Sequence, residues 1–447
     1  MDNLLLMNAQ LSHAESDARS AHPRLPRMQL HRNLSGGKVM IVLAVCMALQ
    51  MTSFVLIQPL FARRFSQLGA GVQALGESAM AYALAATLAA PFMGALADRF
   101  GRRRIILISL GIYILAFTGY LFAPSASWFI LLRGLAGAFT AGLIPAVTGI
   151  IADVAPADRR AQWIGIVNGG ASVGWIVGPI LGGTLYDHWG YVPALGVSIF
   201  LAAVAFGVAC ATVPETHKPA SLPQKKPAIH LSLRGFRQSL PHSLSSFSLL
   251  LWIYFAVMFV WAFIEPRMQF YAYDDLGWSS SRLGLAMSVY GVSLTLGEFG
   301  LSRLSDRLGR KPVILLGLAL YSIQYLGLAV FRDYQLIAAT FLLSGLGNAL
   351  FDPAISASIL DLAPAGHQAR LLGIKSTAGS LGNILGPGLV VLFTSWIDAR
   401  GIFLISFGVV ILTALLTLAG RLIIKPAPDS AGPASGQVEP FRPYSAD

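Results

Sequence analysis

The segment GALADRFGRRR, residues 94–104, has a second copy in the same chain, SRLSDRLGRK at residues 302–311. Asp98 falls on Asp306 at a shift of 208 residues, and Arg99, Gly101, Arg102 and Arg103 fall on Arg307, Gly309, Arg310 and Lys311. The register does not drift further along: Gly137 meets Gly345, Pro145 meets Pro353, Asp153 meets Asp361, Gly174 meets Gly382, and Gly178-Pro179 meets Gly386-Pro387. Near the start of each half, Gln58-Pro59 matches Glu265-Pro266 after a slip of one residue. A constant shift over such a distance makes the chain two copies of one structural unit.

In both copies the segment is a polar interruption between long apolar runs. The chain is 55% hydrophobic and only 12% charged, against roughly a quarter charged in a soluble domain, so it cannot clothe a water-facing surface. Twelve runs reach the roughly 20 residues that cross a bilayer, among them 39–61, 248–271, 282–302 and 401–424. Their Leu, Ala and Gly do not alternate with polar residues as barrel strands do, and an open sheet would leave backbone groups unpaired in lipid. The expected fold is therefore an all-α membrane protein with 12 transmembrane helices in two pseudo-symmetric six-helix bundles. The segments expected are a tail at 1–37, bundles at 38–213 and 248–425, a polar linker at 214–247 and a second tail at 426–447.

The net charge of +11 would suit a nucleic-acid binder if the cations lined one face. They sit instead in short clusters between apolar runs, so no nucleic-acid partner is expected. Of the 32 Lys and Arg, 25 fall on the side of the N-terminus, Arg370 and Lys375 counted among them, and five on the other: Arg63, Arg64, Arg282, Arg332 and Arg400. The positive-inside rule then places both termini in the cytoplasm of a multi-pass protein of the cell's inner membrane. Cys46 and Cys210 both fall inside spans, which suits packing better than a disulfide or a zinc site. No phosphate-binding loop, HExxH helix or GxSxG elbow occurs. No enzymatic activity, cofactor or metal is expected, and active transport would draw on an ion gradient. The chain is read as a monomer.

With the repeated loop, the two sets of six spans and the linker in place, the chain resembles the major facilitator superfamily over about residues 38–425. The resemblance implies a substrate site near the bilayer midplane between the bundles, and alternating access by rocking of one bundle against the other. Gly94, Asp98, Arg99, Gly101, Arg102 and Arg103, with Asp306, Arg307, Gly309, Arg310 and Lys311 in the second copy, resemble the family's loop signature. In the family this signature latches the cytoplasmic side, its arginines reaching the opposite bundle. Arg133 followed by Gly137 resembles a fourth-helix pattern linked to proton transfer; snorkelling to the interface is the plainer alternative. Gly170, Gly174 and Gly178 recur every four residues and form a smooth packing face, and Pro179 breaks regular hydrogen bonding. With Gly182 and Gly183 they resemble the family's antiporter motif, which favours export.

Proton coupling needs acids at membrane depth. The candidates are Glu265, beside Arg267 and within possible reach of Arg133; Asp352; and Glu298, for which pairing with Arg303 or another loop cation is the alternative. The drug exporters of the family often carry an acid in the first helix, which here offers only Gln50, Thr52, Ser53 and Gln58. Cavity candidates are Gln50, Phe54, Gln58, Asn168 and Trp175 in the first half. Trp261, Gln269, Tyr290, Asn348 and Asn383 are their counterparts in the second. The function implied is export of drug-like, amphipathic small molecules in exchange for protons; the alternative is an uptake or facilitative carrier for a metabolite such as a sugar or organic acid.

Overall fold

A computed structural model of the chain describes residues 36–156, 159–216, 241, 243–301, 304–364 and 367–420. The expected tail at 426–447, the tail at 1–37 except Gly36 and Gly37, most of the linker, and Arg303 lie outside the described residues. The spans are α1 (Gly36–Leu56), α2 (Val72–Phe100), α3 (Arg102–Phe122), α4 (Ala126–Thr140 and, beyond a break, Leu143–Val154), α5 (Arg160–Trp189) and α6 (Tyr191–Thr212). The second half repeats them as α7 (Leu244–Phe270), α8 (Ser280–Leu301), α9 (Arg310–Val330), α10 (Tyr334–Leu362), α11 (Gln368–Phe393) and α12 (Ala399–Ala419). A short helix, Phe61–Gln67, follows α1, and a single π turn, Tyr271–Asp275, follows α7. No strand occurs among the described residues.

Eleven of these helices are long and apolar enough to cross a bilayer. The remaining one, α8, corresponds to the expected span 282–302; its serines, glycines and Glu298 lower its hydropathy, but its 22 residues rise about 33 Å, enough for a hydrocarbon core of roughly 30 Å. Large apolar side chains such as Phe92, Phe122 and Phe299 stand more than 70% exposed on the outside of the bundle. In water such a surface would aggregate, whereas lipid accepts it.

The packing obeys the repeat. Within the first half α1 packs on α5 and α6, α2 on α4, and α3 on α6; within the second, α7 packs on α11 and α12, α8 on α10, and α9 on α12. The halves meet along two seams, α5 with α8 and α2 with α11. Close approach is set by glycine. On α5 a Cβ at Gly170, Gly174 or Gly182 would overlap the α1 backbone at Ala44, Met51 and Leu56 respectively, so the four-residue glycine period is the face that seats α1. The α2–α3 turn and its repeat each need a residue with positive φ, supplied by Gly101 at +106° and Gly309 at +88°.

Candidate transport cavity

The two seams are tight on one side of the molecule and open on the other. Away from the Gly101 turn, a Cβ on Gly183 of α5 would strike the Ser280 carbonyl, one on Gly284 of α8 the Pro179 carbonyl, and one on Gly76 of α2 would come within 3.3 Å of the Pro387 carbonyl. Gly76 and Gly284, like Pro179 and Pro387, are repeat mates, so both seams set a glycine against a proline carbonyl. Towards the Gly101 side, Gly94, Gly165, Gly169, Gly300 and Gly373, on the same four helices, have nothing within 4 Å among the described residues. The far side is further closed by bonds between the halves. Asp187 of α5 accepts from Ser280 N at 3.0 Å and from Ser281 N at 2.7 Å, Arg63 donates to the Trp278 carbonyl at 3.1 Å, and the Tyr273 hydroxyl donates to the Pro59 carbonyl.

Pro179 ties the antiporter-like motif to this closure. Lacking an N–H, it cannot bond the Trp175 carbonyl, and Gly291 of α8 approaches that carbonyl closely. One residue on, the Ile180 N–H donates across the seam to Ser288 Oγ at 3.2 Å. α8 thus packs on the carbonyl that Pro179 leaves free and accepts from the N–H that follows it.

Between the halves, under the closed side, lies a cavity of about 260 Å³. Phe54 of α1, Gln58 in the turn just after it, Arg133 of α4, Trp261 and Glu265 of α7 and Asn383 of α11 line it. Arg133 is 7% exposed, and its Nε and Nη1 have no hydrogen-bond partner among the described residues. Its guanidinium instead lies between two ring faces, 4.6 Å from the centroids of Phe61 and Tyr82, a cation–π arrangement. Snorkelling does not describe it. Glu265 accepts from Gln269 Nε2 at 2.5 Å, and Gln269 Oε1 in turn accepts from Ala62 N at 3.3 Å, so the acid is held to the closed side through a fully buried amide. Neither Arg133 nor Arg267 forms an ion pair with Glu265 among the described residues. An acid and a cation thus face one aromatic-walled space.

Asp352 is not part of that lining. It binds Lys375 of α11, whose ammonium also donates to Ser356 Oγ at 2.6 Å and sits 4.1 Å from the Tyr254 ring centroid. Counted above with the loop cations, Lys375 is in fact a buried residue of α11, turned inward because α7 and α10 offer it an acid, a hydroxyl and a ring face. The repeat positions of the pair are Ile144 and Val167, so the charges belong to the second half alone. Glu298 is exposed near the Gly101-side end of α8. Tyr290 and Asn348 form a layer behind the wall: Asn348 donates to the Tyr290 hydroxyl at 2.7 Å, and Tyr290 stacks on Trp261 with centroids 5.4 Å apart. Asn168 and Trp175 line neither this cavity nor a neighbouring one bounded by Gln50. Sequence reasoning missed Tyr82, Thr87 and Ser380, which also line the main cavity; Tyr82 and Thr87 lie on α2, from which no cavity residue was chosen.

The repeated loop does different work from the cross-bundle reach expected of its arginines. Arg102 binds Asp153 and the Gly149 carbonyl, while its repeat mate Arg310 binds Asp361 at 3.2 Å. Arg103 donates to the Cys210 carbonyl at the end of α6, and Lys311 donates to the Leu418 carbonyl at the end of α12. Leu418 is itself 208 residues beyond Cys210. With this side open, these cations fasten helix ends within their own half; Asp98, Arg99 and Arg307 are exposed.

Two repeated helical bundles around a polar cavity, open to one side only, define a membrane carrier. The sequence profile of the Major Facilitator Superfamily matches residues 40–271 and again 250–446, and the chain belongs to that family. It is 29% identical to a "Multi-drug resistance efflux pump PmrA homolog" of Lactococcus lactis over 309 residues, 68% of this chain and 74% of that protein. It is likewise 29% identical to the "Tetracycline resistance protein, class C" of Escherichia coli over 313 residues, 69% of this chain and 77% of that one. Among solved structures, the nucleoside transporter NupG superposes with a TM-score of 0.70 at 15% identity, covering 85% of this chain and 99% of that one. A bacterial homologue of the human lysosomal transporter Spinster, in an inward-facing and unoccupied conformation, superposes with 0.68 at 17% identity, covering 88% and 98%. These likenesses extend the fold across nearly the whole described chain.

Proposed function

We propose that this protein exports small, amphipathic, drug-like molecules in exchange for protons, by alternating access across the cell's inner membrane, with both termini in the cytoplasm. The observation that carries the reading is the placement of Glu265 and Arg133 on one aromatic-walled cavity between halves that are closed on one side and open on the other. The efflux and tetracycline-resistance relatives support export and the class of cargo. The halves are taken as 38–213 and 248–425, joined by the linker 214–247 and flanked by the tails 1–37 and 426–447.

In this reading the open Gly101 side faces the cytoplasm, and the state described is ready to take cargo. Glu265 carries the proton. It takes one up when the cavity opens outward and gives it up inward, and the carboxylate then receives cargo. Phe54, Tyr82 and Trp261 offer faces on which rings stack without demanding one shape. Glu298 is left as a secondary acid on the inward path, and Asp352 with Lys375 as a charged brace of the second bundle. When the cavity turns outward, the Gly101 side must close, and Asp98 and Arg99 are placed to meet the second bundle there as a latch.

The test is accumulation of ethidium and of tetracycline in cells with and without the protein. Expression should lower both, and a protonophore should remove the difference. Equal accumulation in all four conditions would refute export.

A further inference from the structure

Each half contributes the same pair of rings to the main cavity. In the first half Phe54 of α1 lies against Tyr82 of α2, with centroids 5.7 Å apart and rings 33° from parallel. In the second, Trp261 of α7 lies against Tyr290 of α8, at 5.4 Å and 26°. Tyr82 and Tyr290 are mates at the 208-residue shift, and Phe54 and Trp261 are mates in the slipped register that pairs Gln58 with Glu265. Phe54, Tyr82 and Trp261 line the cavity, and Tyr290, 6% exposed, backs Trp261.

Each tyrosine is fixed at two points by a neighbouring helix. A Cβ on Gly137 of α4 would strike the Tyr82 carbonyl, and one on its mate Gly345 of α10 would strike the Tyr290 carbonyl, so a glycine seats each tyrosine's backbone. That contact alone leaves the ring free to change rotamer. Three residues on, the same helices supply a polar group for the hydroxyl. Thr140 donates its own proton to the Ala136 carbonyl at 2.8 Å, so its Oγ1 accepts from the Tyr82 hydroxyl at 3.0 Å. Asn348 Nδ2 donates to the Tyr290 hydroxyl at 2.7 Å. Thr140 and Asn348 are mates at the 208-residue shift; they differ in chemistry and bond in opposite directions, yet each ends on the hydroxyl of the same ring. Packing alone asks for no polar group there, whereas a ring that must keep its tilt does. The second half isolates this role, because the mate of Arg133 is Phe341 and no guanidinium lies on Tyr290.

We propose that Thr140 and Asn348 are positioning residues for cargo: through Tyr82 and Tyr290 they hold Phe54 and Trp261 at fixed tilts, and so favour flat, fused-ring compounds that stack on a held face. This rests on the export reading for its cargo but concerns binding alone, so it is tested on purified full-length protein in detergent. The probes are ethidium, whose fused rings are flat, and tetraphenylphosphonium, whose rings cannot share one plane, each followed by equilibrium dialysis. A wall side chain that must be immobilised anew on binding weakens affinity about two- to tenfold. Asn348→Leu and Tyr290→Phe should each weaken ethidium about fivefold, and the double variant about fivefold rather than about 25-fold, because both substitutions remove one bond. Asn348→Thr, which installs the side chain that the first half uses, should bind ethidium within about twofold of wild type. Tetraphenylphosphonium should change by less than about twofold throughout. Thr140→Val with Tyr82→Phe gives the same cycle in the first half if Asn348→Leu does not fold. Unchanged ethidium affinity, additive losses, no rescue by Asn348→Thr, or equal losses for both cations overturns the proposal while leaving export untouched. Failure of wild type to bind either cation overturns both.

Discussion

Replacing Lys375 with Met removes the ammonium while keeping most of the side-chain volume. Asp352 would then stand at membrane depth without a counter-ion. Removing one partner of a buried pair costs about 3–5 kcal/mol. Lys375 is 9% exposed in its side chain but Asp352 is 40% exposed, so water reaches the stranded carboxylate and the cost should fall to about 2 kcal/mol. Adding Asp352→Leu removes the second charge, and stability should return to within about 1 kcal/mol of wild type, since an apolar pair commonly replaces a buried ion pair without loss. The assay is thermal unfolding of purified protein in detergent. At roughly 2 °C per kcal/mol for a chain of this size, Lys375→Met should melt about 4 °C lower, and the double variant within about 2 °C of wild type. A Lys375→Met protein that melts like wild type would refute the brace, and so would a double variant no better than the single.

Other outcomes follow from the seams. Gly182→Ala drives a Cβ into the Leu56 carbonyl and should cost about 1–3 kcal/mol, whereas Gly165→Ala, with nothing within 4 Å, should be neutral or gain up to about 1 kcal/mol; equal melting temperatures would contradict the packing role given to the glycine face. Asp187→Ala removes three hydrogen bonds that close the far side, two from backbone N–H groups and one from Ser281 Oγ. In a background with Cys46 and Cys210 replaced by Ser, an impermeant maleimide applied from that side should then label Gln58→Cys about tenfold faster, equivalent to about 1.4 kcal/mol of lost closure. An unchanged labelling rate would remove Asp187 from the gate.

The fold was legible because two signals in the sequence are one-dimensional. Hydropathy marks eleven of the spans, and the 208-residue shift carries over to contacts as fine as Arg103 on the Cys210 carbonyl and Lys311 on that of Leu418. The α5 glycine period also translated directly, because four-residue spacing fixes a helix face. What stayed hidden was rotation and cross-chain partnership. Lys375 looked like a loop cation because it lies a few residues inside a span; only the facing of α7 and α10 reveals its acid, hydroxyl and ring. Glu265 and Asp352 looked alike in sequence, and the structure separates them into a cavity wall and an ion pair. Tyr82 gave no signal of its own, since a lone tyrosine in an Ala-rich helix gains its meaning from Arg133 on one side and Phe54 on another.

The central claim is that cargo movement is driven by protons through Glu265. It is tested most directly in vesicles holding the purified protein, with the lumen acidic, the membrane potential clamped at zero, and cargo presented at the cytoplasmic face. Wild type should concentrate ethidium in the lumen until a protonophore collapses the gradient, and Glu265→Gln should let ethidium equilibrate without concentrating it. Concentration by Glu265→Gln equal to that of wild type, or uptake by wild type that ignores the gradient, would contradict the account.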